Sequence, residues 1–292
     1  MLKSSKGIQP SNNTDALFRA WSQFIFDGMI AGGWVQTADT GQINFATVTR
    51  PTIANNARGY VILRMDDALQ ATVPVYLRLD FGSGGAANNM GLWVTLGAAS
   101  DGAGAITNPW LSNPTSAQPL VSSLSNSTSL VQPYSFLSAD NDRVQIAIAY
   151  NAAGAVGMIM SLERTHSPSG AHDGTGVIFY YGAASASFNR NQYLFAADLP
   201  QPPVENGFVA ILPIRNVSVT SQNWGIGIPI PFAGLAQQPG SDVLVTQTND
   251  ALKYGRFGID IYGRRVVYQA MFDGRVTGFG HDGTSIILLR AD

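Results

Sequence analysis

The sequence predicts a mainly β protein, an antiparallel β-sandwich or barrel carrying one N-terminal amphipathic helix. Three observations predict it. Of 292 residues only Lys3, Lys6 and Lys253 are lysines and only Glu163 and Glu205 are glutamates, against 14 arginines and 17 aspartates. Lys and Glu are the residues that cover exposed helix faces, so this chain cannot support many surface helices. Apolar residues recur with period two: Val75, Leu77, Leu79 and Phe81 alternate with Tyr76, Arg78 and Asp80. Turn dipeptides punctuate such runs at Asp101-Gly102, Asp273-Gly274 and Asp282-Gly283, with no helical pattern between them.

In chain order, residues 1–13 are polar, with little core material beyond Leu2 and Ile8, and are expected to order only against a neighbour. A helix is predicted over 14–31. Asn12, Asn13 and Thr14 can cap it, Asp15 suits its first turn, and Leu17, Phe18, Trp21, Phe24, Ile25 and Met29 fall at helical spacing before Gly32-Gly33 stops it. With Phe26, its aromatics carry more apolar surface than one face hides. Phe18, Trp21, Phe24, Ile25 and Phe26 are therefore candidate interface residues. Trp110, at the edge of a polar stretch, is the sixth.

Strands are predicted at 60–65, 73–81, 92–97, 143–150, 156–163 and 177–181. A second series follows at 208–211, 224–230, 243–247, 256–262, 266–272 and 285–289. Ala147 and Ala149 between Val144, Ile146 and Ile148 suggest a strand buried on both faces. Residues 143–150 and 156–163 read as a hairpin closed by Asn151-Ala-Ala-Gly154. The Ser-, Asn-, Thr- and Pro-rich stretch 108–139 is either a long surface excursion or a disguised strand pair. Leu199-Pro-Gln-Pro-Pro203 is the best linker signal. The resulting division is an arm and helix (1–33), a β-sandwich-like domain (34–199) and a smaller β-rich region (200–292).

Composition excludes several classes. The chain has no cysteine, so disulfide scaffolds and thiolate metal sites are out. A net charge of −2 and a pI near 5.9 argue against nucleic-acid binding. No run of 18 uncharged apolar residues offers a membrane span, and residues 1–13 lack the apolar stretch of a signal peptide. His166 and His172 lie six apart in a Gly/Pro-containing loop, which imposes no metal geometry, and His281 reads as a turn residue. Asp140-Asn-Asp142 lacks the glycine and distal glutamate of a calcium loop and reads as a strand cap. Gly82 to Ala87 lacks the helix that a phosphate-binding loop requires and reads as a glycine-rich turn. Serine-hydrolase elbow, Walker and zinc-protease motifs are absent, and a paired-carboxylate site would rest on aspartates in turn contexts. Trp34, Trp93, Trp110 and Trp224 could stack on a sugar. No catalytic residue, cofactor or metal is assigned.

Gly33-Trp-Val-Gln-Thr-Ala-Asp-Thr-Gly-Gln-Ile43 resembles a recurrent segment of tailed-bacteriophage virion structural proteins. The resemblance continues at Gly59-Tyr60, Asp67 to Val75, Asp80 to Gly84, Leu92 to Gly97 and Ser161 to Thr165. It spans roughly the first 180 residues and leaves the last third open. It implies a non-enzymatic particle component, made in the bacterial cytoplasm and held by contacts with copies of itself and other virion proteins. A tail or baseplate position leads, and a head-decorating or head-to-tail joining role is also compatible. A host-glycan binding module and a polysaccharide-degrading enzyme are the competing classes.

Overall fold

The computed structural model describes residues 13–117, 119, 121–122, 134–149, 158–166, 172–183 and 188–195. It also describes strands at 3–6, 230–231, 243–247, 256–261, 264–270 and 285–290. The strands in chain order are β1 (Lys3–Lys6), β2 (Val35–Gln36), β3 (Ala57–Arg64), β4 (Tyr76–Ser83), β5 (Met90–Ser100) and β6 (Ile106–Leu111). Then come β7 (Val121–Ser122), β8 (Tyr134–Asp140), β9 (Arg143–Ala149), β10 (Met158–His166), β11 (His172–Ala183) and β12 (Phe188–Phe195). β13 (Ile230–Pro231), β14 (Val243–Gln247), β15 (Arg256–Ile261), β16 (Arg264–Ala270) and β17 (Ser285–Arg290) follow. Among the described residues one helix occurs, α1 (Asp15–Gly32), and it is not long and apolar enough to cross a membrane.

The fold is mainly β, as the period-two runs imply. One antiparallel sheet has the order β1-β8-β9-β10-β11-β12, and a second has β2-β3-β4-β5-β6 with β7 also on β5. A third runs β13-β14-β17-β16-β15. The first two sheets share one core with α1. Val61, Leu63, Leu77, Leu79, Phe81, Leu92 and Val94 come from one sheet, and Leu137, Val144, Ile146, Met160 and Leu162 from the other.

α1 forms where the cap and the apolar spacing put it. Thr14 Oγ1 accepts from the Leu17 amide at 3.1 Å, and Phe18, Trp21, Ile25 and Met29 are buried along one stripe. Gly33, at φ 112°, ends it. The Gly33 amide donates to Ile30 O at 3.0 Å and the Trp34 amide to Met29 O at 3.1 Å, a Schellman pair that favours glycine. Trp21 meets Phe81 edge-on at 6.2 Å, so one side of the helix lies on β4. On another side Gly28 and Gly32 let the axis approach β8. A Cβ at Gly32 would stand 2.5 Å from Ala139 Cβ and 2.8 Å from its carbonyl carbon. Backbone cannot yield as a side chain can, so Gly32→Ala should destabilise the chain by about 1–3 kcal/mol. A urea titration that finds it neutral would contradict this packing.

Several expectations are corrected. Residues 3–6 are not left to a neighbour; β1 pairs with β8 of its own chain, Lys3 opposite Ala139. The strand expected at 73–81 begins at Tyr76, because Pro74 has no amide to donate and 67–73 form turns, with the Val73 amide on Leu69 O at 2.7 Å. Asp140-Asn-Asp142 is not a strand cap but the tight turn joining β8 to β9, with Asp140 opposite Arg143. Gly82 and Ser83 belong to β4, and the turn follows them, with the Gly84 amide on Asn89 O at 3.0 Å. The stretch 108–139 contains part of β6, β7 and most of β8. The expectations at 151–154, 199–203, 208–211, 224–229, Asp273-Gly274, His281 and Asp282-Gly283 lie outside the described residues.

Candidate functional site

The structure removes part of the expected interface. Phe18, Trp21 and Ile25 are 0% exposed inside the chain's own core, because α1 lies against both sheets rather than on one. Phe24, Phe26 and Trp110 are half-buried against that core. The sugar platform is corrected as well. Trp34 is buried with its Nε1 donating to Arg143 O at 3.0 Å, and Trp93 is buried with its Nε1 donating to Ala117 O at 3.0 Å. Trp224 lies outside the described residues.

Two polar clusters stand out. The first lies on the face of β3 and β4 away from the shared core, where Tyr60 is registered opposite Asp80 and Asp80 opposite Trp93. The Arg78 guanidinium sits 3.8 Å from the Tyr60 ring centroid. Its Nε and Nη2 donate to the two Asp80 oxygens at 2.8 and 2.7 Å, and its Nη1 donates to Gly104 O. The Tyr60 hydroxyl donates to Thr40 O at 2.6 Å. Beside it Asp39 accepts from Thr37 Oγ1 at 2.6 Å, Ser100 Oγ at 2.8 Å and the Gly104 amide at 3.1 Å. Gly104, at φ 107°, sits against the Tyr60 hydroxyl with no room for a Cβ. The cluster thus ties the 37–43 segment and the β5–β6 turn to the sheet.

Burial pushes the Asp39 carboxyl upward, but the Thr37 and Ser100 hydroxyls and the Gly104 amide together hold it below its ordinary value of 3.8. Burial raises Asp80, and the facing Arg78 charge draws it back. Because the folded Asp39 value lies below the unfolded one, its carboxylate contributes stability that is complete above 3.8 and lost as pH falls through the folded value. Asp39→Asn should therefore flatten the acid limb of the stability curve and cost about 1–3 kcal/mol at pH 7. Urea melts of both proteins between pH 7 and pH 2.5 check this; parallel acid limbs would refute it.

The second cluster joins the two core sheets. Arg164, on β10, is 0% exposed, and Asp67, in the β3–β4 connection, has a 3% exposed side chain. Arg164 Nε donates to Asp67 Oδ2, while its Nη2 donates to Asp67 Oδ1 at 3.1 Å and to Val73 O at 2.8 Å. The Arg164 amide donates to Asp142 O and the Asp66 amide to Asn141 O, both at 3.1 Å. The β8–β9 turn, the β3–β4 connection and β10 therefore close on one buried ion pair. Sequence reasoning missed it, although a signal exists: Arg164 falls at period two after the apolar Met160 and Leu162, in a run buried throughout from Met160 to Arg164.

His166 and His172 are not loop residues: the first closes β10, the second opens β11, and their Cα atoms are direct cross-strand partners. Among the described residues no group of three or more His, Cys, Asp or Glu is placed to hold a metal ion. In both clusters the carboxylate oxygens are taken by fixed donors, an arrangement that anchors segments rather than one that moves protons. No family model matches the chain, and neither does any curated protein or solved structure.

Proposed function

We propose that the protein is a non-enzymatic structural subunit of a tailed-bacteriophage particle, associated with the tail or baseplate. It works through contacts with copies of itself and with other virion proteins, without nucleic acid, membrane or cofactor. The observation that carries the reading is the ordered set of segments resembling virion structural proteins, together with where those segments lie. Asp67 and Val73 belong to one such segment and Arg164 to another, and the buried clamp joins them. Asp39, Asp80 and Trp34 belong to others and are likewise buried. Segments whose buried polar residues anchor the fold suit a subunit whose product is its own shape. Few charges, with arginine strongly preferred to lysine, suit surfaces that pack on partners.

The test is quantitative mass spectrometry of purified particles encoding the chain. A fixed copy number per particle is expected, and its absence from purified particles while present in the lysate rejects the proposal. A glycan-binding role would need exposed aromatics. Trp34 and Trp93 are unavailable to it, which leaves that reading with Trp110 alone among the described tryptophans outside α1.

A further inference from the structure

We infer that the chain associates head to tail with further copies of itself, the surface around Arg19, Arg58 and Ile53 of one copy docking on the surface around Asp27, Ile30 and Asp66 of the next. The inference rests on the proposed role of contacts between copies and names the faces that make them. Among the described residues two large apolar side chains are exposed, Ile53 at 62% and Ile30 at 39%. They lie toward opposite ends of α1, whose 18 residues span about 27 Å. Ile30 is in its last turn. Ile53 belongs to the connection fastened to its first turn, where the Arg50 amide donates to Asp15 Oδ1 at 2.9 Å.

Each isoleucine sits with charge of one sign. At the first end Arg19 Nε donates to Val48 O at 2.6 Å and Arg58 Nε to Thr49 O at 3.0 Å, so guanidinium groups from α1 and β3 are held on adjacent carbonyls. A carbonyl fixes a guanidinium without neutralising it. Among the described residues the carboxylate nearest to pairing here is Asp15, 3.9 Å from Arg19, and residues 40–63 contain no Asp or Glu. Ile53 is held outward by its backbone: its carbonyl accepts from Ser83 Oγ at 2.6 Å, and the Asn55 amide donates to Gly84 O at 2.8 Å. At the other end Asp27 is exposed one turn before Ile30, with no ion-pair partner among the described residues, and the last turn of α1 carries no basic residue. Asp66, 53% exposed and 2.9 Å from Arg64, joins them there, because its amide donates to the carbonyl of Asn141, which lies against Gly33.

Arginine around an apolar anchor is the composition of a protein interface, and side chains already fixed lose little entropy on docking. A nucleic acid would match the arginines but leave Ile53 in water. The opposite signs lie at opposite ends, so they meet between two copies and not within one. Because the two faces differ, the contact is heterologous. Each added copy leaves one end open, so association runs past a dimer to a ring or a fibre.

Sedimentation velocity of the full chain over a range of concentrations tests this. Species larger than a dimer should form at about 50 mM salt and recede at about 500 mM, where exposed charges are screened. Arg58→Glu alone and Asp27→Lys alone should each weaken association at least tenfold. An equimolar mixture of the two should restore it, because the reversed end of one meets the reversed end of the other. Ile53→Ser should also weaken it at least tenfold, and it decides the matter where Arg58→Glu fails to fold, since no burial holds that side chain; circular dichroism reports folding. A chain that stays monomeric at low salt, one that stops at a dimer, association indifferent to salt or to Ile53→Ser, or a mixture no better than either variant would each overturn the inference. The readout is the free chain in solution, so it is separate from the particle count that tests the proposed function. A chain present in particles at fixed copy number yet monomeric in solution rejects this contact and leaves that reading standing.

Discussion

Replacing Trp21 by alanine should lower the unfolding free energy by about 3–5 kcal/mol, the range for an indole removed from a close-packed core. Trp21 is 0% exposed and lies edge-on to Phe81, in the cluster that joins α1 to β3, β4 and β5 and to β8, β9 and β10. Deleting residues 1–33 should go further. It strips Phe18, Trp21, Ile25 and Met29 out of the shared core and uncovers Leu137 and Ala139, against which Gly28 and Gly32 pack. The truncated chain is expected to lose its cooperative melt, so failed incorporation into a particle would then report unfolding rather than a missing contact. Far-UV circular dichroism against urea measures both effects. A loss below about 1 kcal/mol for Trp21→Ala, combined with a truncated chain that still melts sharply, would return the helix to an interface role.

How much of this was legible in the sequence depends on which force sets each feature. α1 was readable almost to the residue, because its cap, apolar stripe and glycine stop are local signals. Strand interiors were readable wherever alternation was strong, as in β4, and the run at 243–247 coincides with β14. Which layers cover α1 was not readable. Aromatic count measures how much apolar surface a helix carries, whereas burial depends on whether one sheet or two receive it. Two-sided burial was legible in β9, where the small residues Ala147 and Ala149 signalled it, and Gln145, between Val144 and Ile146, is 0% exposed. The register of β10 on β11 was hidden, since a ladder irregularity depends on pairing rather than on either strand alone. Asp39 and Tyr60 were invisible as partners because backbone groups around Thr40 and Gly104 link them.

Removing the Arg164 side chain should be as costly as removing Trp21, by a different mechanism. Arg164→Ala is expected to lose about 3–5 kcal/mol, because the charge of Asp67 would stay buried without a partner and Val73 O would lose its donor. The pair itself need not be worth that much, since much of the loss is desolvation left uncompensated. A double-mutant cycle separates the two. Arg164→Met with Asp67→Leu should be less destabilised than the sum of the single changes by at least about 1 kcal/mol. Strictly additive costs would show that the two residues act independently. Arg164→Lys sharpens the test, because the guanidinium serves two Asp67 oxygens and a carbonyl through one plane. An ammonium is a single point charge without that fork. Lysine should therefore recover less than half of the loss. Full recovery would mean that charge alone, rather than the fork spanning 97 residues of sequence, holds β10 to the β3–β4 connection.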